Sequence, residues 1–458
     1  MLFNSYAFLL LFLPVTLAAC FWLARRRGPH AATLWLVFAS LFFYGWWDAR
    51  YVPLLVASVA FNYGAGRALV RSAGRRARIV LGLAIAVDLG VLGYFKYAGF
   101  LGAGVSSLTG TSLDFGHIVL PLGISFFTFT QIAYLVDVYR EPARYDAARY
   151  ALFVTYYPHL IAGPILHHRE MMPQFGNPTA FRYDSANLAA GLTIFAIGLF
   201  KKVMLADSIA AYVAPVFDNA AGGYAPTLLE AWGAVLAYGL QLYFDFSGYS
   251  DMAIGLSKML GVKLPLNFDS PNKAASIIEF WRRWHMTLSR FLRDYLYIPL
   301  GGSRHGPLRR YFNLFVTMLL GGLWHGAGWT FVAWGAAHGF FLAVNHAWRA
   351  LKTRAGIGTA VDARRFRTGE RLLGAALTFI AVFAAWVLFR AQDLPSAILI
   401  LKGMAGLQGV VLPAPWLYQL AAWFPGLRIY LVGIPPGLIE SAGAGVLISK
   451  GQVADFDR

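Results

Sequence analysis

The sequence predicts an all-α, polytopic membrane protein, because its composition and the lengths of its apolar runs both suit a lipid environment. Of its 458 residues, 58% are hydrophobic and only 13% are charged, and the mean hydropathy is +0.55. Soluble domains carry roughly 25% charged residues. A helix that crosses the hydrocarbon core needs about 20 apolar residues, and such runs recur along the chain. No hydrophilic stretch is long enough for a separate soluble domain, so one membrane domain is expected over 1–458.

The apolar runs predict about eleven transmembrane helices, together with re-entrant or interfacial helices. We group them as N-terminal helices in 1–150, a core with re-entrant segments in 151–348 and C-terminal helices in 349–458. The clearest runs are 2–24, 31–47, 52–70, 79–97, 118–137, 188–206, 229–256 and 372–390. Shorter or interrupted runs lie at 150–166, 277–300, 312–348 and 395–447.

The first run, 2–24, is expected to be a retained transmembrane helix. It lacks a basic segment before its apolar residues, and Arg25, Arg26 and Arg27 follow it instead. A cleaved signal peptide, which is the alternative, has the opposite order. Since arginines favour the cytoplasmic side, this helix should start outside the cytoplasm and end within it.

Basic residues exceed acidic ones, and their positions indicate topology rather than nucleic-acid binding. Lys and Arg number 39 against 22 Asp and Glu, which gives a net charge of +17. Most of the basic residues fall in short segments between apolar runs, as the positive-inside rule predicts. No motif of a DNA-binding or RNA-binding module accompanies them, so no nucleic-acid partner is expected.

The sequence predicts no bound metal or cofactor. Cys20 is the only cysteine, which excludes an intrachain disulfide and a cysteine-rich metal site. The chain also lacks a Walker A loop, a His-Glu-x-x-His zinc motif, a dinucleotide fingerprint and a nucleophile elbow. An ATP-driven pump and a metalloprotease are therefore poor fits.

The most basic segment, 258–310, predicts a helix at the cytoplasmic membrane surface. If 277–295 is helical, an apolar stripe runs along one side of it, made of Phe280, Trp284, Leu288 and Phe291. The arginines of this segment fall outside the stripe, a pattern typical of an interfacial or re-entrant helix.

The stretch 312–348 predicts a helical hairpin that enters and leaves the membrane on one side. Basic residues flank it at both ends, namely Arg309, Arg310, Arg349 and Lys352. As a helix it would be about 55 Å long, enough for two short arms across a core of roughly 30 Å. The turn should lie near 324–329, and glycines spaced four apart should pack the arms closely.

His325, in the triplet Trp324-His325-Gly326, is the strongest candidate for chemistry. An ionisable side chain at membrane depth is costly and by default marks a pathway or a reaction centre. An imidazole can act as a general base near neutral pH and take a proton from a hydroxyl. The alternative is a structural histidine hydrogen-bonded to a backbone carbonyl.

Two further histidines are candidates for the same site. On a continuous helix, Trp281, His285 and Ser289 share one edge beside the apolar stripe, so His285 could orient a substrate or share acid–base work. A histidine there could equally contact lipid headgroups. His338 lies where glycines leave space beside the hairpin arms.

Two carboxylates and one more histidine lie within apolar runs. Asp245 and Asp251 flank Tyr249 and are about 240° apart on a helix, so each needs a partner on another helix or in a polar tunnel. A buried structural network is the alternative for both. His159 lies between two prolines, which predicts a re-entrant loop that could line a substrate cavity.

In five segments the chain resembles the membrane-bound O-acyltransferase family, and within it the branch that acetylates alginate and similar polysaccharides. The segments are LPLGISFFTF at 120–129, AGPI at 162–165, YFDFSGYSDM at 243–252, FWRRWHMTLS at 280–289 and GLWHG at 322–326. They occur in the family's order, and the likeness extends from 3–5 to 386–390.

The resemblance implies a fold with a central tunnel across a thinned membrane and re-entrant segments near its mouth. The family's catalytic histidine matches His325, and its second motif histidine matches His285. The other residues expected along the tunnel are Trp324, Asp245, Tyr249, Asp251, His159, Trp281, Ser289 and His338.

The resemblance also implies the reaction, in which an acyl group passes from a cytoplasmic thioester donor to a hydroxyl. For the polysaccharide branch we expect acetyl-CoA as donor, an exopolysaccharide such as alginate as acceptor, and periplasmic acetyltransferase or acetyl-carrier partners. The chain would then be a multi-pass protein of the bacterial inner membrane, in contact with lipid. The basic segment 258–310 could attract a phosphorylated donor.

Two other functions stay open. The first is transfer of D-alanine or another acyl group to a cell-envelope polymer, which would need a docking surface for a carrier protein. The second is transport of an acyl group or polymer without catalysis, which calls for intramembrane charge pairs and often internal repeats. The sequence has scattered aspartates but no visible repeat.

Overall fold

Helices form nearly all of the regular structure, as the apolar runs predict. The computed structural model describes residues 1–111, 115–116, 118–355, 363–413 and 445–448. The first half of the chain contains α1 (Leu13–Arg27), α2 (Pro29–Gly45), α3 (Val52–Val70), α4 (Gly74–Thr109), α5 (Ile124–Arg140), α6 (Ala147–Thr155), α7 (Tyr157–Leu160), α8 (His168–Phe175) and α9 (Ser185–Phe200). The second half adds α10 (Asp207–Ala210), α11 (Ala214–Ala221), α12 (Leu228–Met259), α13 (Ile277–Arg283), α14 (Met286–Leu292), α15 (Gly306–His325), α16 (Trp329–Arg354), α17 (Ala363–Arg390) and α18 (Leu394–Met404).

Short helical turns of other types and one pair of strands complete the described elements. The π-helical turns are Ala7–Phe12, Lys201–Ala206 and Arg293–Tyr297, and the 3₁₀ turns are Ala49–Tyr51 and Pro271–Lys273. Strands β1 (Val410–Pro413) and β2 (Gly445–Ile448) pair antiparallel, with Val410 opposite Ile448. Across the residues that the structure describes, the fold is therefore helical apart from this short ribbon.

Within the described ranges, four helical stretches are long and apolar enough to cross a membrane. They are Ala7–Arg27, Gly74–Thr109, Ser185–Ala221 and Thr368–Arg390, while Pro29–Gly45 and Leu394–Met404 are apolar but shorter. The chain is thus a multi-pass membrane protein. The count of about eleven spanning helices stays a prediction, and the C-terminal helices predicted within 414–444 and 449–458 lie outside the described residues.

Glycines bring α9 and α12 into close contact. A Cβ added to Gly198 would lie 2.6 Å from the carbonyl oxygen of Gly248, and one added to Gly255 would lie 2.6 Å from that of Gly191. Small residues let the backbones of membrane helices approach in this way. The contact also places the π-helical turn Lys201–Ala206 against α12.

Helices α15 and α16 form the predicted hairpin. α15 ends at His325 and α16 begins at Trp329, so the turn occupies 326–328. A Cβ added to Gly335 would lie 3.0 Å from the Cα atom of Leu319, which shows how closely the two arms pack. Both the position of the turn and the packing role of the glycines agree with the sequence prediction.

The predicted continuous helix over 277–295 is wrong. α13 ends at Arg283, α14 begins at Met286, and His285 between them has a φ of 43°. Because this left-handed conformation is uncommon for residues other than glycine, the local sequence does not indicate it. Trp281, His285 and Ser289 therefore do not share one helical edge, although the apolar stripe defined above is buried throughout.

Candidate active site

The end of α15, just before the hairpin turn, lines a cavity of about 310 Å³. Aromatic rings form much of its wall, namely Phe126, Phe246, Trp284, Trp324, Trp334, Trp386 and Phe389. Its polar side chains are Lys96, Ser125, His285 and His325. A mostly apolar cavity with a few convergent polar groups is typical of a small-molecule site. Of the predicted site residues, His325, His285 and Trp324 line it.

Aromatic rings hold the imidazole of His325 at the cavity wall. Its centroid lies 4.7 Å from the ring of Trp324, 5.1 Å from that of Trp334 and 5.0 Å from that of Phe389. Among the described residues, none forms a hydrogen bond with the His325 ring. A histidine with a purely structural role would form hydrogen bonds between its ring nitrogens and other protein groups. Because the His325 ring forms none, its nitrogens are available to a molecule in the cavity.

Lys96, which sequence reasoning missed, stabilises the end of α15 beside His325. Its ammonium donates hydrogen bonds to the backbone carbonyl of Trp324 and, at 3.1 Å, to Oγ of Ser125. The hydroxyl of Tyr97 donates to the carbonyl of Leu323 at 2.7 Å. The last carbonyls of a helix have no partner within the helix and attract positive charge. The available signal was a lysine inside the apolar run 79–97.

His285 is fixed in one orientation and one tautomer. Its Nδ1 lies 3.0 Å from Oδ1 of Asn267, an oxygen that also accepts hydrogen bonds from the backbone N–H and the hydroxyl of Thr287. Because this oxygen can only accept, Nδ1 carries the hydrogen and donates it. In the neutral ring Nε2 is then the basic nitrogen, and it has no hydrogen-bond partner among the described residues. The centroid of the His285 ring is 6.1 Å from that of the Trp324 ring.

His338 and Trp281 are paired behind the cavity wall. Nε1 of Trp281 donates to Nδ1 of His338 at 3.3 Å, and His338 is completely buried. Its ring centroid lies 4.7 Å from that of Trp334, whose side chain lines the cavity. The structure thus places these two residues where they support the wall rather than face the cavity.

Asp245 and Asp251 find their partners on a neighbouring helix. Lys202 contacts Asp245 at 2.6 Å, and Lys201 contacts Asp251 at 2.6 Å. Both lysines belong to the π-helical turn that packs against α12. Tyr249, between the two aspartates, stacks on an N-terminal phenylalanine with ring centroids 4.9 Å apart. None of these side chains lines the cavity.

His159 and Ser289 also lie outside the cavity wall. Nε2 of His159 is 2.9 Å from the carbonyl oxygen of Phe153, and the side chain is buried. The hydroxyl of Ser289 donates to the carbonyl of Trp284 at 3.4 Å. The segment around His159 does reach the cavity, but it does so through Ile161 and Ala162.

An aromatic column leads from the cavity along α5 toward its C-terminal end. Phe129 stacks on Trp324 at 5.9 Å and on Phe291 at 4.9 Å between centroids. Phe291 in turn contacts Tyr295, whose hydroxyl donates to Asp137 at 2.8 Å. Packed side chains fill this line, so the predicted central tunnel stays a prediction.

Two further histidines join the polar end of the aromatic column. Nδ1 of His168 lies 3.3 Å and Nδ1 of His167 lies 4.0 Å from the Asp137 carboxylate. Neither was predicted as a site residue. In the part of the chain that the structure describes, no group of three or more His, Cys, Asp or Glu side chains is arranged to hold a metal ion.

Comparison with known proteins places this site in a family. A model of the membrane-bound O-acyltransferase family matches residues 136–361, which include both cavity histidines. The chain is 44% identical over 443 residues to a peptidoglycan O-acetyltransferase of Helicobacter pylori, covering 90% of this chain and 81% of that protein. It is 44% identical over 409 residues to a probable alginate O-acetylase of Pseudomonas aeruginosa, covering 87% and 73%.

A more distant relative is a teichoic acid D-alanyltransferase of Streptococcus thermophilus, 29% identical over 292 residues that cover 58% of this chain and 68% of that protein. The two relatives at 44% identity are matched over more than two thirds of their own lengths. The family match over 136–361 includes α15 and, from the cavity lining, His285, Trp324 and His325. The chain therefore belongs to the membrane-bound O-acyltransferase family and is an O-acyltransferase.

Proposed function

We propose that this enzyme moves an acetyl group from cytoplasmic acetyl-CoA across the bacterial inner membrane for O-acetylation of an exported polysaccharide such as alginate. His325 acts as the general base. The observation that carries this proposal is the His325 ring, which faces an aromatic cavity and has no hydrogen-bond partner among the described residues. The names of the relatives, which include O-acetyltransferases of peptidoglycan and alginate, support acetyl as the group transferred.

The reaction requires a base and a site that excludes water. The acceptor hydroxyl gives its proton to His325 as its oxygen bonds to the acetyl carbon, and the carbon–sulfur bond of the thioester then breaks. The proton passes from His325 to the departing thiolate, so that the imidazole is neutral again at the end of the cycle. Aromatic walls disfavour hydrolysis of the thioester by keeping water out.

Lys96 and His285 support the base from two sides. The Lys96 ammonium holds the carbonyl of Trp324, the residue before His325, and so fixes the end of α15. It also adds positive charge near the thioester oxygen, where negative charge develops. Nε2 of His285 offers a fixed acceptor that orients the incoming hydroxyl.

Donor and acceptor approach from opposite sides in this proposal. His325 lies about 30 Å along α15 from the basic start of that helix, which carries Arg309 and Arg310. The positive-inside rule assigns that end to the cytoplasm, where acetyl-CoA is found. Periplasmic acetyltransferase or acetyl-carrier proteins then pass the acetyl group to the polymer on the other side.

The test is to measure O-acetyl groups on the exported polymer in cells whose only copy of this enzyme is His325→Ala. We expect the polymer to be made and exported without acetyl groups, while the variant accumulates in the membrane at the normal level. The matched control is His30→Ala, which removes an exposed histidine at the start of α2, outside the cavity, and should leave acetylation close to normal. A fully acetylated polymer in the His325→Ala cells would contradict the proposal.

A further inference from the structure

A second cavity, of about 220 Å³, lies at the ends of α3 and α5. Three arginines and three tyrosines dominate its lining, namely Arg67, Arg71, Arg144, Tyr63, Tyr134 and Tyr145. It shares no lining residue with the cavity at His325. Ile124 lines the first cavity and Tyr134 the second, so the two are about 15 Å apart along α5.

The arginines of this cavity have no anionic partner among the described residues. Arg67, Arg71 and Arg144 form no ion pair there, and the acidic side chains nearest to Arg144 in the sequence are already engaged. Glu141 pairs with Arg169 at 2.9 Å, and Asp146 pairs with Arg149 at 2.8 Å. Three like charges around one small space repel one another, so an anion bound between them would be stabilised.

The tyrosines make this a shaped site rather than a loose basic patch. The hydroxyl of Tyr63 donates to the carbonyl of Tyr145 at 3.2 Å, which ties α3 to the segment after α5. Tyr134 is buried, with its ring 4.5 Å from that of Tyr150, and its hydroxyl lies directly against Gly66. Any side chain at Gly66 would overlap this hydroxyl, so the glycine makes room for it.

We propose that this cavity binds a phosphate group, either the headgroup phosphate of an anionic phospholipid or a soluble phosphate. Guanidinium groups match phosphate oxygens with two parallel hydrogen bonds, and the Tyr134 hydroxyl adds a further donor. The arginines assign this end of α3 to the cytoplasmic side. There the headgroups of anionic lipids lie within reach.

The experiment measures two probes on the purified full chain in a nonionic detergent. Native mass spectrometry follows binding of phosphatidylglycerol, with phosphatidylcholine of the same acyl chains for comparison. Calorimetry follows binding of inorganic phosphate. Saturable binding of phosphatidylglycerol alone identifies a lipid headgroup as the ligand, and saturable binding of inorganic phosphate identifies a soluble one.

The variants decide whether binding uses this cavity. Arg67→Ala/Arg71→Ala should weaken binding of the active probe at least about tenfold, because two charge-assisted contacts are lost. Arg75→Ala/Arg76→Ala removes the same charge from exposed positions at the start of α4 and should leave binding unchanged. Arg144→Ala, in the exposed segment between α5 and α6, should also weaken binding of the active probe, and it does so without altering a helix. The proposal would be overturned if the site variants bound each probe as well as the wild type and the control do. It would also be overturned if the wild type bound neither probe.

Discussion

Replacing Lys96 tests how the end of α15 presents His325 to the cavity. The Lys96 ammonium donates to the carbonyl of Trp324 and to Ser125, and the next residue after Trp324 is the proposed base. In Lys96→Met both hydrogen bonds and the positive charge are lost, while a side chain of similar length still fills the space. The carbonyl at the helix end is left without this partner inside the membrane.

The size of the effect follows from the chemistry of that contact. A hydrogen bond with a charged donor contributes about 1.5–3 kcal/mol, and about 2 kcal/mol corresponds to roughly 30-fold in a rate or an equilibrium. We therefore expect kcat for acetyl transfer to fall roughly 30-fold in Lys96→Met. Lys96→Gln keeps an N–H donor but loses the charge, so its loss should be about fivefold.

The assay compares transfer of labelled acetyl groups from acetyl-CoA in membranes that contain equal amounts of each variant. Lys202→Met is the matched control, because it removes another lysine from within the helices but breaks only contacts outside the cavity, with Asp207 and Asp245. Its transfer rate should stay near that of the wild type. If Lys96→Met also transferred acetyl groups at the wild-type rate, the assigned role of Lys96 would be refuted.

Two further substitutions test the surroundings of the base. Asn267→Ala removes the acceptor that fixes His285, so the rate of acetyl transfer in membranes should fall by about tenfold or more. An unchanged rate would show that the tautomer of His285 does not matter for the reaction. Gly326→Ala places a methyl group onto the ring of Phe331. The free energy of unfolding should therefore fall by about 1–3 kcal/mol, which lowers the melting temperature in detergent. Gly328→Ala is its control, because a Cβ there would lie 3.6 Å from the same ring, and equal melting temperatures of the two variants would contradict the packing argument.

The hairpin could be predicted from the sequence because simple physical rules determine it. Basic residues at both ends of 312–348 placed those ends on one side, and the length allowed only two short arms across the core. The turn then had to lie near the middle, where the structure has it at 326–328. The positions of His325 and Trp324 at the cavity follow from that turn.

Other parts of the site depend on contacts that the sequence does not display. The carbonyl that Lys96 binds lies 228 positions away in the chain, so only the folded structure identifies it. The left-handed conformation of His285 accompanies hydrogen bonds from its ring and from the backbone N–H of Thr287 to Asn267, which lies 18 positions before His285 in the chain. For Asp245, the sequence predicted a partner on another helix or in a polar tunnel but could not identify it as Lys202.

The central claim is that His325 is the base for acetyl transfer from the cytoplasmic side, and one measurement tests it most directly. Inside-out inner-membrane vesicles from polymer-producing cells expose the cytoplasmic face, and labelled acetyl-CoA is added outside them. We expect label to enter the polymer with the wild-type enzyme and with His30→Ala, and to fall by about 10²–10⁴-fold with His325→Ala. Equal labelling by His325→Ala and the wild type would contradict the account.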